Sequence, residues 1–135
     1  MECVRYAYLL TKYPTDIVCL GIGENGHIAF NDPPIADFRD PNMVKVVKLE
    51  HVCRQQQVND KCFAALSEVP THAFTLTIPT LLRADNLFCI VPASNKAQAV
   101  YNTLNNEISE ECPATILRKK AGTILYLDGE SSVLI

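Results

Sequence analysis

Apolar residues return along this chain with two different periods. Between residues 3 and 12, Val4, Ala7, Tyr8 and Leu9 recur at helical spacing and the pattern stops before Pro14, which predicts a helix. Residues 16–22 then form a nearly continuous apolar run containing a glycine, the pattern of a strand buried on both faces. Runs suited to strands follow at 44–49, 73–78, 87–91 and 123–127, giving about five in all. Between the last two, Ala97, Val100, Leu104 and Ile108 share one helical face behind Ser94 as N-cap. Pro113 suits the first position of a further helix over 114–120, and Gly122 suits its exit. Strands alternating with helices predict a single α/β domain over 1–135, with flanking helices on an open, largely parallel sheet. There is no internal repeat, low-complexity segment or interior linker.

Composition narrows this picture without redirecting it. The 135 residues are 48% hydrophobic and 20% charged, values of a globular domain with room for one core. A formal net charge of −3 argues against a nucleic-acid partner, which requires a basic face. The one basic triplet, Arg118-Lys119-Lys120, suits the carbonyl end of a helix. No apolar run approaches the ~20 residues of a membrane span, and the first residues lack the order of a signal peptide. The expectation is a soluble, cytoplasmic chain with no membrane partner. Six cysteines without a C-x-x-C pair read as reduced, mostly buried thiols, and the three histidines at 27, 51 and 72 show no metal-ligand spacing.

Candidate chemistry concentrates in the segment GIGENGHIAFNDPP at 21–34. Its first six residues satisfy G-x-G-x-x-G after a predicted strand, a pattern associated with dinucleotides. That fingerprint must open a helix, whereas two prolines and several turn formers follow within eight residues of Gly26, so no nicotinamide or flavin is expected. Glycine-rich backbone at the carboxyl end of a strand still lets main-chain N–H groups approach a ligand. Gly23 and Gly26 are therefore candidate binding positions. His27 follows them, and imidazole is the side chain that best exchanges protons near neutrality. Asp32 and Glu24 are carboxylates near enough in sequence to orient or polarise it.

The segment GIGENGHIAFNDP at 21–33 closely resembles the signature of glucosamine-6-phosphate deaminases, also called isomerases. The stretches VPTHAFTLT at 69–77, SNKA at 94–97, CPATIL at 112–117 and YLD at 126–128 occur in that family's order and spacing, so the resemblance spans nearly the whole chain. The related 6-phosphogluconolactonases share a glycine loop with a following histidine, but the continuation IAFNDP resembles the deaminase branch. The resemblance implies an open, Rossmann-like sheet. It also implies conversion of glucosamine 6-phosphate to fructose 6-phosphate and ammonia without a redox cofactor.

By the same resemblance, His27 is the general acid/base that opens the sugar ring. Asp32, where many members carry glutamate, would hold its tautomer. Asn25 stands where many members carry aspartate, so Asn25→Asp is expected to serve ring opening at least as well. Lys96 matches a phosphate-binding lysine, and its position near a helix start supports the same role. Arg54 is the other basic candidate, although the family's arginine lies about five residues further on. Family members are nearly twice this length, and their Gly-Thr-Pro phosphate loop and Asp-Glu-Tyr base motif do not occur in these residues. The chain thus resembles a C-terminal half, and an incomplete parallel sheet is expected to promote self-association as a homo-oligomer. A sugar-phosphate-binding remnant without turnover and a lactonase-like hydrolase are the alternative readings.

Overall fold

The computed structural model describes residues 1–135. Three strands, β1 (Ile17–Leu20), β4 (Asn86–Val91) and β5 (Thr123–Leu127), form a parallel sheet in the order β1-β4-β5. Two others, β2 (Val44–Lys48) and β3 (His72–Leu76), pair antiparallel as a separate ribbon, with Val44 opposite Leu76 and Lys48 opposite His72. The five expected strands are present, and the three that are parallel carry the sheet on which the site is built. Four α-helices complete the order: α1 (Glu2–Lys12), α2 (His51–Asn59), α3 (Ile78–Leu81) and α4 (Ala97–Asn105).

The core lies on one face of the sheet. Leu87, Cys89 and Val91 of central β4 point into it and are fully buried, against Val100 and Ala99 of α4 and Ala114, Ile116 and Leu117. Their neighbours Ile90, Ile124 and Tyr126 point the other way and are about half exposed. The first strand departs from expectation here. Ile17 is 54% exposed and Cys19 is exposed, because no element packs on that face, so a run that is apolar throughout is buried on one side only. The cysteines follow suit: all six are free, but only Cys53, Cys89 and Cys112 are buried. On α1 the helical period is realised, yet Val4 and Tyr8 remain exposed and the helix buries no residue.

Local chemistry shifts two other elements. A 3₁₀ turn over Ser94–Lys96 leads into α4, and the Ser94 side chain does not cap it. The Pro113–Lys119 segment is also 3₁₀ rather than α-helical, with Thr115 N–H and Oγ1 both donating to the Cys112 carbonyl at 2.9 and 2.7 Å. Gly122 does terminate it, with φ +83°. No helix is long and apolar enough to cross a membrane.

Candidate active site

The segment 21–34 leaves β1 as a loop. Gly23 N–H donates to the His27 carbonyl and Gly26 N–H to the Gly23 carbonyl, each at 2.9 Å, closing a tight turn that delivers the imidazole at the strand's carboxyl end. Both inner glycines are required. A Cβ on Gly23 would overlap the His27 ring, and Gly26 combines φ +82° with a Cβ position 2.6 Å from Cys112 Sγ. Ala114 N–H holds the Gly26 carbonyl at 2.9 Å, tying the loop to the 113–119 helix. Buried Asn31 ties its far end to β3 by donating to the Leu76 carbonyl at 2.9 Å.

His27 is only 8% exposed and its ring is held by two side chains. Asn25 Oδ1 accepts the His27 backbone N–H at 3.1 Å and lies 2.7 Å from ring Nδ1. Asn25 Nδ2 donates to Asp32 Oδ1 at 2.9 Å, and that same carboxylate oxygen is 3.2 Å from Nδ1. With the amide NH₂ turned to Asp32, Nδ1 faces two acceptor oxygens and therefore carries the proton. The lone pair falls on Nε2, the arrangement needed for a ring that accepts a proton from a ligand.

Asp32 is completely buried. Burial alone raises its carboxyl pKa, but the hydrogen bonds from His27 and Asn25 outweigh it and hold the group below the usual carboxylate range. The Glu50 backbone amide also favours the anion, without reaching hydrogen-bond geometry, so Oδ2 is left with no partner.

His27 contributes to the wall of a cavity of about 460 Å³ at the carboxyl ends of β1 and β4, together with Gly21, Gly23, Gln56, Asp60, Ala93 and Lys96. Lys96 is 9% exposed and its ammonium has no hydrogen-bond partner. Burial lowers its pKa, opposed by the charges of Asp60 and Glu24. An unpaired, desolvated ammonium at a cavity wall is suited to an anionic ligand.

The fold thus brings His27, Gly23 and Lys96 to one cavity with Asn25 and Asp32 behind the imidazole, whereas Gly26 lies outside the lining, its N–H and carbonyl taken by Gly23 and Ala114. Arg54 is placed otherwise. Its Nη2 donates to the Leu66 and Val69 carbonyls at 2.7 and 2.9 Å, a clamp on the 66–69 turn, and it does not line the cavity. Glu24 does not touch the imidazole either: its Oε1 accepts from Asn95 Nδ2 at 2.8 Å. Sequence reading missed what α2 contributes. Gln56 lines the cavity and its Oε1 accepts the Glu24 N–H at 3.2 Å. Cys53 is buried beside the dyad, where burial first and the charge of Asp32 second push its thiol up to about 11, opposed by Lys96. No sequence signal marks it: Cys53 is the one buried residue of α2, and its burial is set by packing.

Comparison with known proteins gives a consistent answer. The family model described as glucosamine-6-phosphate isomerases/6-phosphogluconolactonase matches residues 2–126. A glucosamine-6-phosphate deaminase of Bacillus cereus is 40% identical over 130 residues, covering 96% of this chain and 48% of the relative. One of Listeria welshimeri is 35% identical over 134 residues, covering 99% of this chain and 55% of the relative. A solved structure described as a monomeric glucosamine-6-phosphate deaminase superposes with a TM-score of 0.91 at 36% identity, over 99% of this chain and 54% of that one. The 6-phosphogluconolactonase of Trypanosoma cruzi shares the fold, with a TM-score of 0.63 at 21% identity over 90% of this chain and 42% of that one. The chain spans about half the length of the curated relatives it matches.

Proposed function

The chain belongs to the glucosamine-6-phosphate isomerase/6-phosphogluconolactonase family, and on that premise we propose that it supplies the ring-opening half of an aminosugar-phosphate deaminase site. One observation carries the reading: an imidazole anchored through Nδ1 and a buried, unpartnered ammonium line the same cavity. Glucosamine 6-phosphate presents the complementary groups, a hemiacetal hydroxyl at one end and a phosphate dianion at the other.

In this reading Lys96 is the counter-ion of the phosphate and fixes the sugar by that end. His27 Nε2 takes the proton from the anomeric hydroxyl as the bond to the ring oxygen breaks, and returns it to that oxygen. Asp32 stabilises the transient imidazolium, while Asn25 fixes the ring plane. Gly23 leaves room for the imidazole over the loop. The proton transfer between adjacent sugar carbons then needs a base, and no side chain of this cavity is assigned to it. We assign that base, and further phosphate ligands, to polypeptide corresponding to the other half of the longer relatives. The deaminase reading is preferred to lactone hydrolysis because the relatives above 30% identity carry the deaminase name, whereas the lactonase likeness is one of fold. The uncovered apolar face of the sheet supports self-association of the isolated chain.

The test is to titrate the chain with glucosamine 6-phosphate by calorimetry while assaying ammonia and fructose 6-phosphate. Binding without product is expected. Absence of binding would overturn the substrate assignment, and product formation would overturn the placement of the isomerising base elsewhere.

A further inference from the structure

His27, Asp32 and Cys53 come from two separate segments, the glycine loop and α2, and meet beneath the cavity. A ring nitrogen, a carboxylate oxygen and Sγ, one from each, all lie within 4.8 Å of one another, and all three residues are buried. Asp32 is 0% exposed, yet its Oδ2 has no hydrogen-bond partner. A fully buried carboxylate oxygen without a donor is costly, and a cation is the ligand that relieves it.

We propose that His27, Asp32 and Cys53 bind a thiophilic divalent cation of the zinc class. Imidazole nitrogen, carboxylate oxygen and thiolate sulfur are the three ligand types that zinc takes in proteins. With Zn–N and Zn–O of ~2.0 Å and Zn–S of ~2.3 Å, tetrahedral geometry sets ligand atoms roughly 3.3–3.5 Å apart. The side chains must therefore close by no more than about 1.5 Å from the 4.8 Å bound. His27 Nδ1 is the nitrogen that already faces Asp32, at 3.2 Å. Asn25 Oδ1, 2.7 Å from Nδ1, is the nearest further oxygen, and it would have to move outward by about 0.6 Å to serve as a fourth ligand.

The charges balance. One thiolate and one carboxylate neutralise a divalent cation, so the loaded cluster is uncharged inside the protein. As the metal–sulfur bond forms, the Cys53 proton passes to solvent, and the imidazole proton moves from Nδ1 to Nε2 as Nδ1 donates its lone pair to the metal. Nε2 then has no lone pair for a sugar hydroxyl. Occupancy of the site accordingly switches ring opening off, a consequence that rests on the acid–base reading of His27 whereas the binding itself does not.

The test uses the chain with Cys3, Cys19 and Cys62 changed to Ser, which removes the thiols that are not buried. It is titrated with cobalt(II), followed by the thiolate-to-cobalt charge-transfer band, and then with zinc to displace the cobalt. One equivalent should saturate the band, zinc should abolish it, and zinc should raise Tm because it binds the folded state. Cys53→Ser, which keeps the size of the side chain, should remove the band and the rise in Tm. Asp32→Asn, scored only if its circular dichroism matches the parent's, should weaken binding at least tenfold. A parent chain without the band, or a band that survives Cys53→Ser, would overturn the proposal. Failure of glucosamine 6-phosphate to bind while the band forms would instead remove the acid–base reading and leave the metal site standing.

Discussion

Asn25 and Asp32 are joined by a hydrogen bond in which the amide Nδ2 donates to the carboxylate at 2.9 Å. This contact changes the expectation for position 25. A carboxylate there cannot donate, and it would stand against a buried carboxylate that already lacks a partner on Oδ2. Asn25→Asp is therefore predicted to destabilise the fold by about 1–3 kcal/mol at neutral pH, the cost of an unsatisfied buried group. It should recover part of the loss at mildly acidic pH, where the new pair shares a proton. Urea midpoints of the two proteins, compared across pH, measure this. A variant as stable as the parent at neutrality would remove the donor role of the amide.

Lys96 sets function against stability. Its ammonium is buried without a partner and its pKa is lowered, so in the folded chain the charge is a liability without a ligand. A group whose folded pKa is depressed in this direction destabilises at pH values below that pKa and ceases to do so above the unfolded value of about 10.4. Lys96→Met should raise the unfolding free energy at neutral pH, read from urea denaturation, by roughly 1 kcal/mol or more. It should also weaken binding of glucosamine 6-phosphate at least tenfold. The paired measurement separates a ligand-binding lysine from a surface one, which would change neither.

Which parts of this were legible in the sequence follows from where the information lies. β4 and β5 stand out as short apolar runs, and the turn at Gly122 as a glycine. The glycine loop and His27 stand out because Gly23 is forced by a contact inside the same segment and Gly26 by φ. Burial of β1 was not legible, since the apolar run from Ile17 gives no sign of which face is covered. The contribution of α2 was not legible either. Cys53 and Gln56 reach the site through packing of β2 and β3 under the loop, where Val47, Leu49 and Cys53 form a small cluster with Phe30 and Ile35. Arg54 shows the converse: a basic residue beside these positions is spent on backbone carbonyls of the next turn.

Acid should act through Asp32. Its folded pKa is lowered, so its ionised form stabilises the chain above the unfolded value of about 3.9, and that contribution is lost as pH falls through the folded value. Asp40, whose burial penalty is outweighed by Lys45 at 2.7 Å together with Asn42, adds in the same direction. Stability should thus fall on acidification below about pH 4, and Asp32→Asn should make that fall shallower. An unchanged slope would mean that the Asp32 carboxylate is not held by His27 and Asn25.

Ala93 is strained. It lines the cavity with φ +80° and ψ 150°, a region that non-glycine residues enter at a cost of about 1–3 kcal/mol. Glycine relieves that strain while losing roughly 0.5–1 kcal/mol to chain entropy. Ala93→Gly should gain about 1 kcal/mol in urea denaturation, the difference of the two. A destabilised variant would show that the backbone at this turn is not held in the left-handed region.

The most direct measurement of the central claim is the rate at which the α and β anomers of glucosamine 6-phosphate interchange, followed by NMR magnetisation transfer with and without the chain. Ring opening needs only the proton relay at His27 and the phosphate grip at Lys96, so the chain should accelerate anomer exchange while releasing no ammonia. His27→Gln should return the rate to that of buffer, and Lys96→Met should lower it. Exchange no faster than in buffer, or acceleration that persists in His27→Gln, would contradict the assignment of ring opening to this site.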